Sequence, residues 1–216
     1  TDENGDFTVE FDALEDPTIN KKFSPRYSYE VHADVTDLNG ETRSGSQSVS
    51  VGYNCLNLNL KIDEVIERSR SNQFIVSTTN LNGQNTPAKG TIQITELIEP
   101  DQVFRKQFWE RPDLPSISEK EHRSLFPNDV FGNEDKVKNF KKGAEVLNQT
   151  FDTEKTDTVI FNGLKSWKAG RYLVKTTSID AFGESVEEVQ YITILDKSTK
   201  ENSLNEIWKM TPIKVM

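Results

Sequence analysis

The chain has 216 residues, of which 34% are hydrophobic and 28% are charged, and its net charge at neutral pH is −9. This length allows one large domain or two small ones. With 12 Phe, 5 Tyr and 3 Trp residues it is too aromatic for a disordered chain. Its acidic surface repels nucleic-acid phosphates, and it has no apolar run of about 18 residues. Composition therefore argues against a nucleic-acid-binding protein and against a membrane-spanning helix.

Residues 7–13 begin a pattern that recurs along the chain, with apolar side chains at every second position. Residues 27–35 repeat it, with Tyr27, Tyr29 and Val31 on one face and Ser28 and Glu30 on the other. Residues 49–53 and 56–62 do the same. Such alternation predicts β-strands that bury one face. We expect further strands at about 73–79, 88–98, 102–109, 144–152, 157–162, 170–179 and 185–195.

Three turn sequences share one layout, with Asp or Asn first, Gly fourth and Glu or Gln fifth. They are residues 37–41 (DLNGE), 80–84 (NLNGQ) and 180–184 (DAFGE). The first side chain of such a turn accepts hydrogen bonds from nearby backbone N–H groups, and the glycine adopts the positive φ that closes a hairpin. Turns of this kind between alternating strands predict an all-β fold of antiparallel β-sandwiches, of the immunoglobulin or fibronectin kind.

Residues 110–142 interrupt the alternation with three prolines and many charged residues. Ser118 and Glu121 form a capping-box sequence and Pro127 would stop a helix, so a short helix is predicted at about 118–126. We interpret residues 110–142 as a long insertion between two strands of a sandwich. Connections of this length are usually functional or mobile.

The pattern predicts two tandem sandwich units. Residues 1–54 hold only about three strands, which is too few to cover a sandwich core, so we expect them to be the C-terminal part of a domain in a longer polypeptide. Residues 55–196 form the second, complete unit with the insertion at 110–142. Residues 197–216 are predicted to be a linker into a further domain.

Residues that could carry catalysis form no recognisable constellation. His32 and His122 lie far apart in the sequence, and each is expected on the exposed surface. Cys55 is the only cysteine and has no neighbouring cation to activate it, so it is expected to be a buried small hydrophobic residue. Two acidic pairs are expected to be solvated rather than catalytic: Asp34 with Asp37, and Glu187 with Glu188. We therefore expect no catalytic, cofactor-binding or metal-binding residues.

Some features nevertheless have a binding interpretation. Trp109 and Trp167 could stack on sugars, although tryptophans beside strands more often anchor a core. Asn148 begins a glycosylation sequon, a tripeptide that often occurs by chance. The spacing around Gly40 does not match an EF-hand loop, which favours a plain hairpin over a calcium site. The candidate calcium ligands there are Asp34, Asp37, Asn39 and Glu41.

Several blocks of the chain resemble the large bacterial α2-macroglobulin proteins. They occur in order over roughly residues 30–196. The blocks are residues 33–43 (ADVTDLNGETR), 79–84 (TNLNGQ), 104–106 (FRK), 109–114 (WERPDL), 126–134 (FPNDVFGNE), 166–172 (SWKAGRY) and 180–183 (DAFG).

This resemblance implies macroglobulin domains, which are β-sandwiches strung together as a scaffold from the N-terminal region that precedes the thioester. In the family, cleavage of a bait region triggers a rearrangement that cages the protease, and many members attach to it through a thioester of Cys and Gln. Cys55 is followed by Leu56-Asn57-Leu58 and lacks the required Glu and Gln, so it does not inherit the thioester role.

The resemblance thus implies a non-catalytic scaffold in protease trapping. The implied partners are neighbouring domains of the same longer chain and, for the full-length protein, proteases, with no nucleic acid and no small-molecule substrate. The implied location is extracytoplasmic, in the periplasm or at the cell surface, with possible membrane anchoring. The alternative is a carbohydrate-binding or adhesin module of a surface protein, which would need Trp109 or Trp167 exposed. A calcium-stabilised adhesion repeat would instead need Asp34, Asp37 and Glu41 to converge.

Overall fold

The structure is a computed structural model that describes residues 6–69, 73–105, 116–161 and 163–196 and, for Phe23, the backbone alone. In these ranges the chain is mostly β-strand, arranged in three sheets, with one α-helix and three short 3₁₀ turns. The 3₁₀ turns are Lys21–Phe23, Val137–Asn139 and Leu164–Ser166. No helix in the described ranges has both the length and the apolar character needed to span a membrane. The prediction of a β-dominated fold is confirmed.

Strands β1 (Arg26–Thr36) and β2 (Thr42–Gly52) form a two-stranded antiparallel hairpin. Their register is unbroken from Arg26 opposite Gly52 to Thr36 opposite Thr42. β2 begins well before the predicted strand at 49–53. Its first half consists mainly of serine and glycine, so it pairs with β1 without showing apolar alternation.

The predicted strand at 7–13 is wrong, because residues 6–15 form no strand. Phe7, Val9 and Phe11 instead line a groove of about 540 Å³ on the apolar face of the hairpin. The ring of Phe11 lies 5.3 Å from the ring of Tyr29, whose hydroxyl donates to the carbonyl of Leu14 at 2.7 Å. Alternation identified the side chains that face the sheet, but the segment lies over the sheet and adds no strand to it. Residues 6–54 therefore hold two strands rather than about three.

The remaining strands form two sheets that face each other. The three-stranded sheet has the order β3–β5–β8, with strands Leu56–Lys61, Gln73–Asn80 and Thr158–Ile160. The five-stranded sheet has the order β4–β10–β9–β6–β7, with strands Val65–Glu67, Ser185–Leu195, Gly170–Ile179, Lys89–Ile98 and Lys141–Asp152. Neighbours are antiparallel except for β4 and β10, which are parallel. The three-residue strand β4 was not predicted.

One apolar core lies between these two sheets. Val76 of the three-stranded sheet is fully buried, as are Ile92, Ile94 and Val174 of the five-stranded sheet. Burying a side chain of this size contributes about 1.5–3 kcal/mol of transfer free energy. The two sheets therefore stabilise each other as the layers of a β-sandwich do.

The chain between β6 and β7 contains the predicted insertion. Helix α1 (Glu119–Leu125) begins where the side chain of Ser118 accepts the backbone N–H of Glu121, and it ends before Pro127 as predicted. The strand predicted at 102–109 is wrong for residues 102–105, where Arg105 makes only an isolated bridge to Asp129. Residues 106–109, like residues 110–115 of the insertion, lie outside the described residues.

Candidate functional site

The three predicted turns have the same geometry in the structure. In each, the Oδ1 atom of the first residue accepts the backbone N–H groups of the third and fifth residues at 2.8–2.9 Å. The glycines at the fourth position, Gly40, Gly83 and Gly183, have φ angles of 84°, 83° and 88°. Only glycine adopts this conformation without strain, so the turn prediction is confirmed in its chemistry as well as its location.

The turn at 80–84 contacts the end of the β1–β2 hairpin. The Oδ1 atom of Asn82 accepts the backbone N–H of Ser50 at 2.7 Å, and its Nδ2 group donates to the carbonyl of Ser50 at 3.4 Å. Beside this pair, a methyl group of Leu81 lies 3.1 Å from the position that a Cβ on Gly52 would occupy. The side-chain amide of Asn82 thus binds both backbone groups of one hairpin residue, as a neighbouring strand would.

The turn at 180–184 contacts the segment that links the hairpin to β3. Asp180 is only 7% exposed, and its Oδ2 atom accepts the backbone N–H of Cys55 at 2.9 Å. Burial alone would raise the pKa of Asp180. Hydrogen bonds from the backbone N–H groups of Cys55, Glu184 and Phe182, and from the Cys55 thiol, hold that pKa below its ordinary value. The carboxylate therefore stays ionised at neutral pH, and its hydrogen bond to Cys55 holds the linking segment against the turn.

We define the joint as Ser50, Gly52, Cys55, Leu81, Asn82 and Asp180. It brings together residues from the end of the hairpin, from the linking segment and from two turns of the sandwich. Sequence reasoning identified the turns but not this contact. The sequence carried no signal for it, because the exposed turn 37–41 has the same Asx layout as turns 80–84 and 180–184.

Cys55 differs from its prediction. It is half-buried rather than fully buried, and its backbone N–H donates to Asp180. It lines a cavity of about 280 Å³ together with Pro87, Lys89 and Asp152. A carboxylate has about four acceptor positions, and three backbone N–H groups, those of Cys55, Phe182 and Glu184, donate to the carboxylate of Asp180. The carboxylate of Asp180 therefore binds the backbone of the linking segment and of its own turn.

The histidines lie on separate elements, and one prediction about them is wrong. His32 is exposed on β1, with Nε2 3.5 Å from a carboxylate oxygen of Glu30. His122 on α1 was predicted to be exposed but is half-buried, with its ring 5.6 Å from Phe126 and 5.2 Å from Phe131. Its Nδ1 atom is buried and has no hydrogen-bond partner among the described residues. The folded insertion, which has no regular sequence pattern, covers this side chain.

Trp167 belongs to the core. It is 5% exposed, and its ring lies 5.6 Å from Phe161 and 5.5 Å from Tyr172. A sugar cannot stack on a buried ring, so Trp167 does not support the carbohydrate-binding alternative. Trp109 lies outside the described residues.

The acidic candidates do not form a site. Among the described residues, no group of three His, Cys, Asp or Glu side chains could hold a metal ion. Asp34, Asp37 and Glu41, which lie within the described residues, form no such group, and Asp37 uses its Oδ1 atom for the turn. Glu187 pairs with Lys175 at 2.6 Å, while Glu188 points to the opposite face of β10. Asn148, which begins the sequon, is exposed on the edge strand β7 and donates to Glu145 at 3.2 Å.

In comparisons with known proteins, no protein-family model matches this chain, and no curated protein matches it either. The function of the chain is therefore inferred from its own residues and from the geometry of the joint.

Proposed function

We propose that this chain is a non-catalytic scaffold segment of a bacterial α2-macroglobulin-like protein. Its β-sandwiches, of the macroglobulin type, position other parts of the protein that trap proteases. The resemblance over residues 30–196 supports the proposal from the sequence side. The observation that carries it is the joint, where Asn82 and Asp180 bind backbone groups of Ser50 and Cys55.

The chemistry of the joint suits a mechanical role. Side-chain to backbone hydrogen bonds have directional geometry, so they fix the orientation of the hairpin better than an apolar contact would. They are also few, and interfaces between domains of one chain are generally polar and modest in size. Units connected in this way hold their orientation at rest and can swing as rigid bodies when a connection elsewhere is cut. A protease trap that closes after bait cleavage needs both properties.

The proposal includes the setting of the protein. The segment would work outside the cytoplasm, in the periplasm or at the cell surface. Its partners would be neighbouring domains of the same longer polypeptide, and the target of that polypeptide would be proteases. No small-molecule substrate and no nucleic acid enters this function.

The direct test uses the longer polypeptide that contains this chain. After incubation with trypsin, the captured protease should still cleave a small peptide substrate but should lose activity on a large protein substrate, because a cage excludes large molecules. The double variant N82A/D180N should lower this size-dependent protection. The variant D37N, in a matching turn remote from the joint, should leave protection unchanged. A polypeptide that leaves trypsin fully active on the protein substrate would overturn the proposal.

A further inference from the structure

The β1–β2 hairpin has two edges whose backbone groups point away from the partner strand. The backbone N–H of Asp37 donates to the carbonyl of Glu41 at 2.9 Å, which sets the hydrogen-bonding pattern for the whole hairpin. In an antiparallel pair, every second pair of residues exchanges hydrogen bonds and the others face outward. The outward backbone groups of β2 therefore belong to its even-numbered residues, which are Thr42, Ser44, Ser46, Ser48, Ser50 and Gly52.

Asn82 occupies one end of this edge. Its amide takes both outward backbone groups of Ser50, which shows that the edge accepts a strand-like partner at that point. The carbonyl of Ser48 accepts only a 3.4 Å contact from the side chain of Gln47. The outward backbone groups of Ser44 and Ser46 have no hydrogen-bond partner among the described residues. The edge from Thr42 to Ser48 is therefore open.

The two edges of the hairpin differ in how they are protected. Proteins discourage edge-to-edge pairing with charged side chains, prolines and β-bulges. β1 carries Arg26, Glu30, His32 and Asp34 at its outward positions. β2 carries threonine, serine and glycine at its outward positions, has no proline, and keeps an unbroken register. Its single charged residue, Arg43, is at an inward-bonded position. Only the β2 edge lacks the usual protection.

We propose that the β2 edge pairs antiparallel with the β2 edge of a second copy of this chain. With Gly45 on the symmetry axis, Ser44 faces Ser46 of the other copy, Thr42 faces Ser48, and Arg43 faces Gln47. Although each chain carries a net charge of −9, no like charges stand opposite each other in this register. In this dimer, the outward residues of each β2 edge, which are uncharged, face the uncharged outward residues of the other β2 edge. Pairing between the two copies stops at Ser48, so the hydrogen bonds between Ser50 and Asn82 stay intact.

The apolar face of the hairpin fits the same arrangement. Gly45, Ser44 and Ser46 line the groove of about 540 Å³ that also contains Phe7 and Val9. A Cβ on Gly45 would have no atom within 4 Å, so nothing in the described chain obstructs a close approach at the axis. Pairing would join two grooves into one apolar face of a four-stranded sheet. A two-stranded hairpin is marginally stable alone, and further strands stabilise it. This dimer does not depend on the proposed scaffold function.

The test is sedimentation velocity on the 216-residue chain over a wide concentration range, with a pair of proline variants. The N–H of residue 46 points outward, so S46P removes one bond per copy between the two copies, two in the dimer, but no bond between β1 and β2. H32P is the matched control, because His32 lies opposite Ser46 in the register and its N–H points outward from the other edge. We expect a concentration-dependent dimer that S46P weakens at least about tenfold and H32P leaves unchanged.

A second variant and a second readout keep the test decisive. If circular dichroism shows that S46P is unfolded, S46K serves instead, since it adds like charges across the axis, and S46T is its control. Hydrogen exchange at the amides of Ser44 and Ser46 should slow as protein concentration rises. The proposal is overturned by a wild-type chain that stays monomeric throughout or by a dimer that H32P weakens as much as S46P. Protection of these amides in a monomer would also overturn it, since another segment would then cover the edge.

Discussion

Replacing Asp180 by asparagine separates its role in its own turn from its role in the joint. In the variant, Oδ1 can still accept the N–H groups of Phe182 and Glu184, as Asn80 does in the equivalent turn. The atom that faces the N–H of Cys55 at 2.9 Å becomes an NH₂ group, so a donor meets a donor. Losing a bond to a charged acceptor and leaving a shielded donor unpaired costs about 1.5–3 kcal/mol. For a chain of this size, Tm should fall by roughly 3–12 °C.

Thermal and urea unfolding followed by circular dichroism would measure this change. The matched control is D37N, which should stay within about 0.5 kcal/mol of wild type because its turn is exposed and holds no linking segment. The reasoning fails if D180N is as stable as wild type, or if D37N loses as much stability.

The same variant carries a pH prediction. The pKa of Asp180 lies below its ordinary value of 3.8 in the folded chain. Its stabilising contribution is therefore present above that value and is lost as pH falls through the lower, folded pKa. The stability difference between wild type and D180N should be complete at neutral pH and should shrink as pH falls below 3.8. A difference that stays constant as pH falls well below 3.8 would contradict the assignment of an ionised carboxylate.

Three further predictions follow from particular contacts. N82A should accelerate hydrogen exchange at the Ser50 amide, because that amide donates to the side chain of Asn82. N39A, at the same position of the exposed turn 37–41, is the control and should leave the exchange rate of Ser50 unchanged. Equal exchange rates in wild type and N82A would contradict the Asn82 contact. G90A should destabilise the fold by about 3 kcal/mol in urea unfolding, because its Cβ would clash with the carbonyl oxygen of Thr177. G45A is the control and should be nearly neutral, because a Cβ there meets open space. Calorimetry should give the same Tm with calcium as with a chelator, and a rise in Tm with calcium would revive the adhesion-repeat alternative.

The parts of the fold that could be predicted from sequence are those with a local cause. The alternation in β1, β3, β5, β9 and β10 comes from one buried face, and the structure places these strands within a residue or so of the predictions. The Asx–Gly turns and the cap at Ser118 were predictable for the same reason, since both ends of each hydrogen bond lie within a few residues.

The features that could not be predicted depend on contacts between distant segments. Alternation at 7–13 shows which side chains face the hairpin but not whether a backbone edge is available to pair. Strand β4 is three residues long, too short for a pattern, and exists because β10 lies beside it. The joint connects Ser50 with Asn82 and Cys55 with Asp180, contacts that no local rule specifies. His122 is covered by a loop with irregular sequence, so its burial could not be anticipated.

Residual dipolar couplings of backbone N–H groups would test most directly whether the joint fixes the hairpin on the sandwich. If Asn82 and Asp180 hold Ser50 and Cys55 as described, couplings from β1 and β2 and couplings from β3 to β10 should fit one common alignment tensor. In N82A/D180N, the two sets should require separate tensors while each sheet stays folded. Separate tensors in the wild-type chain would contradict a fixed joint and remove the structural basis of the proposed scaffold.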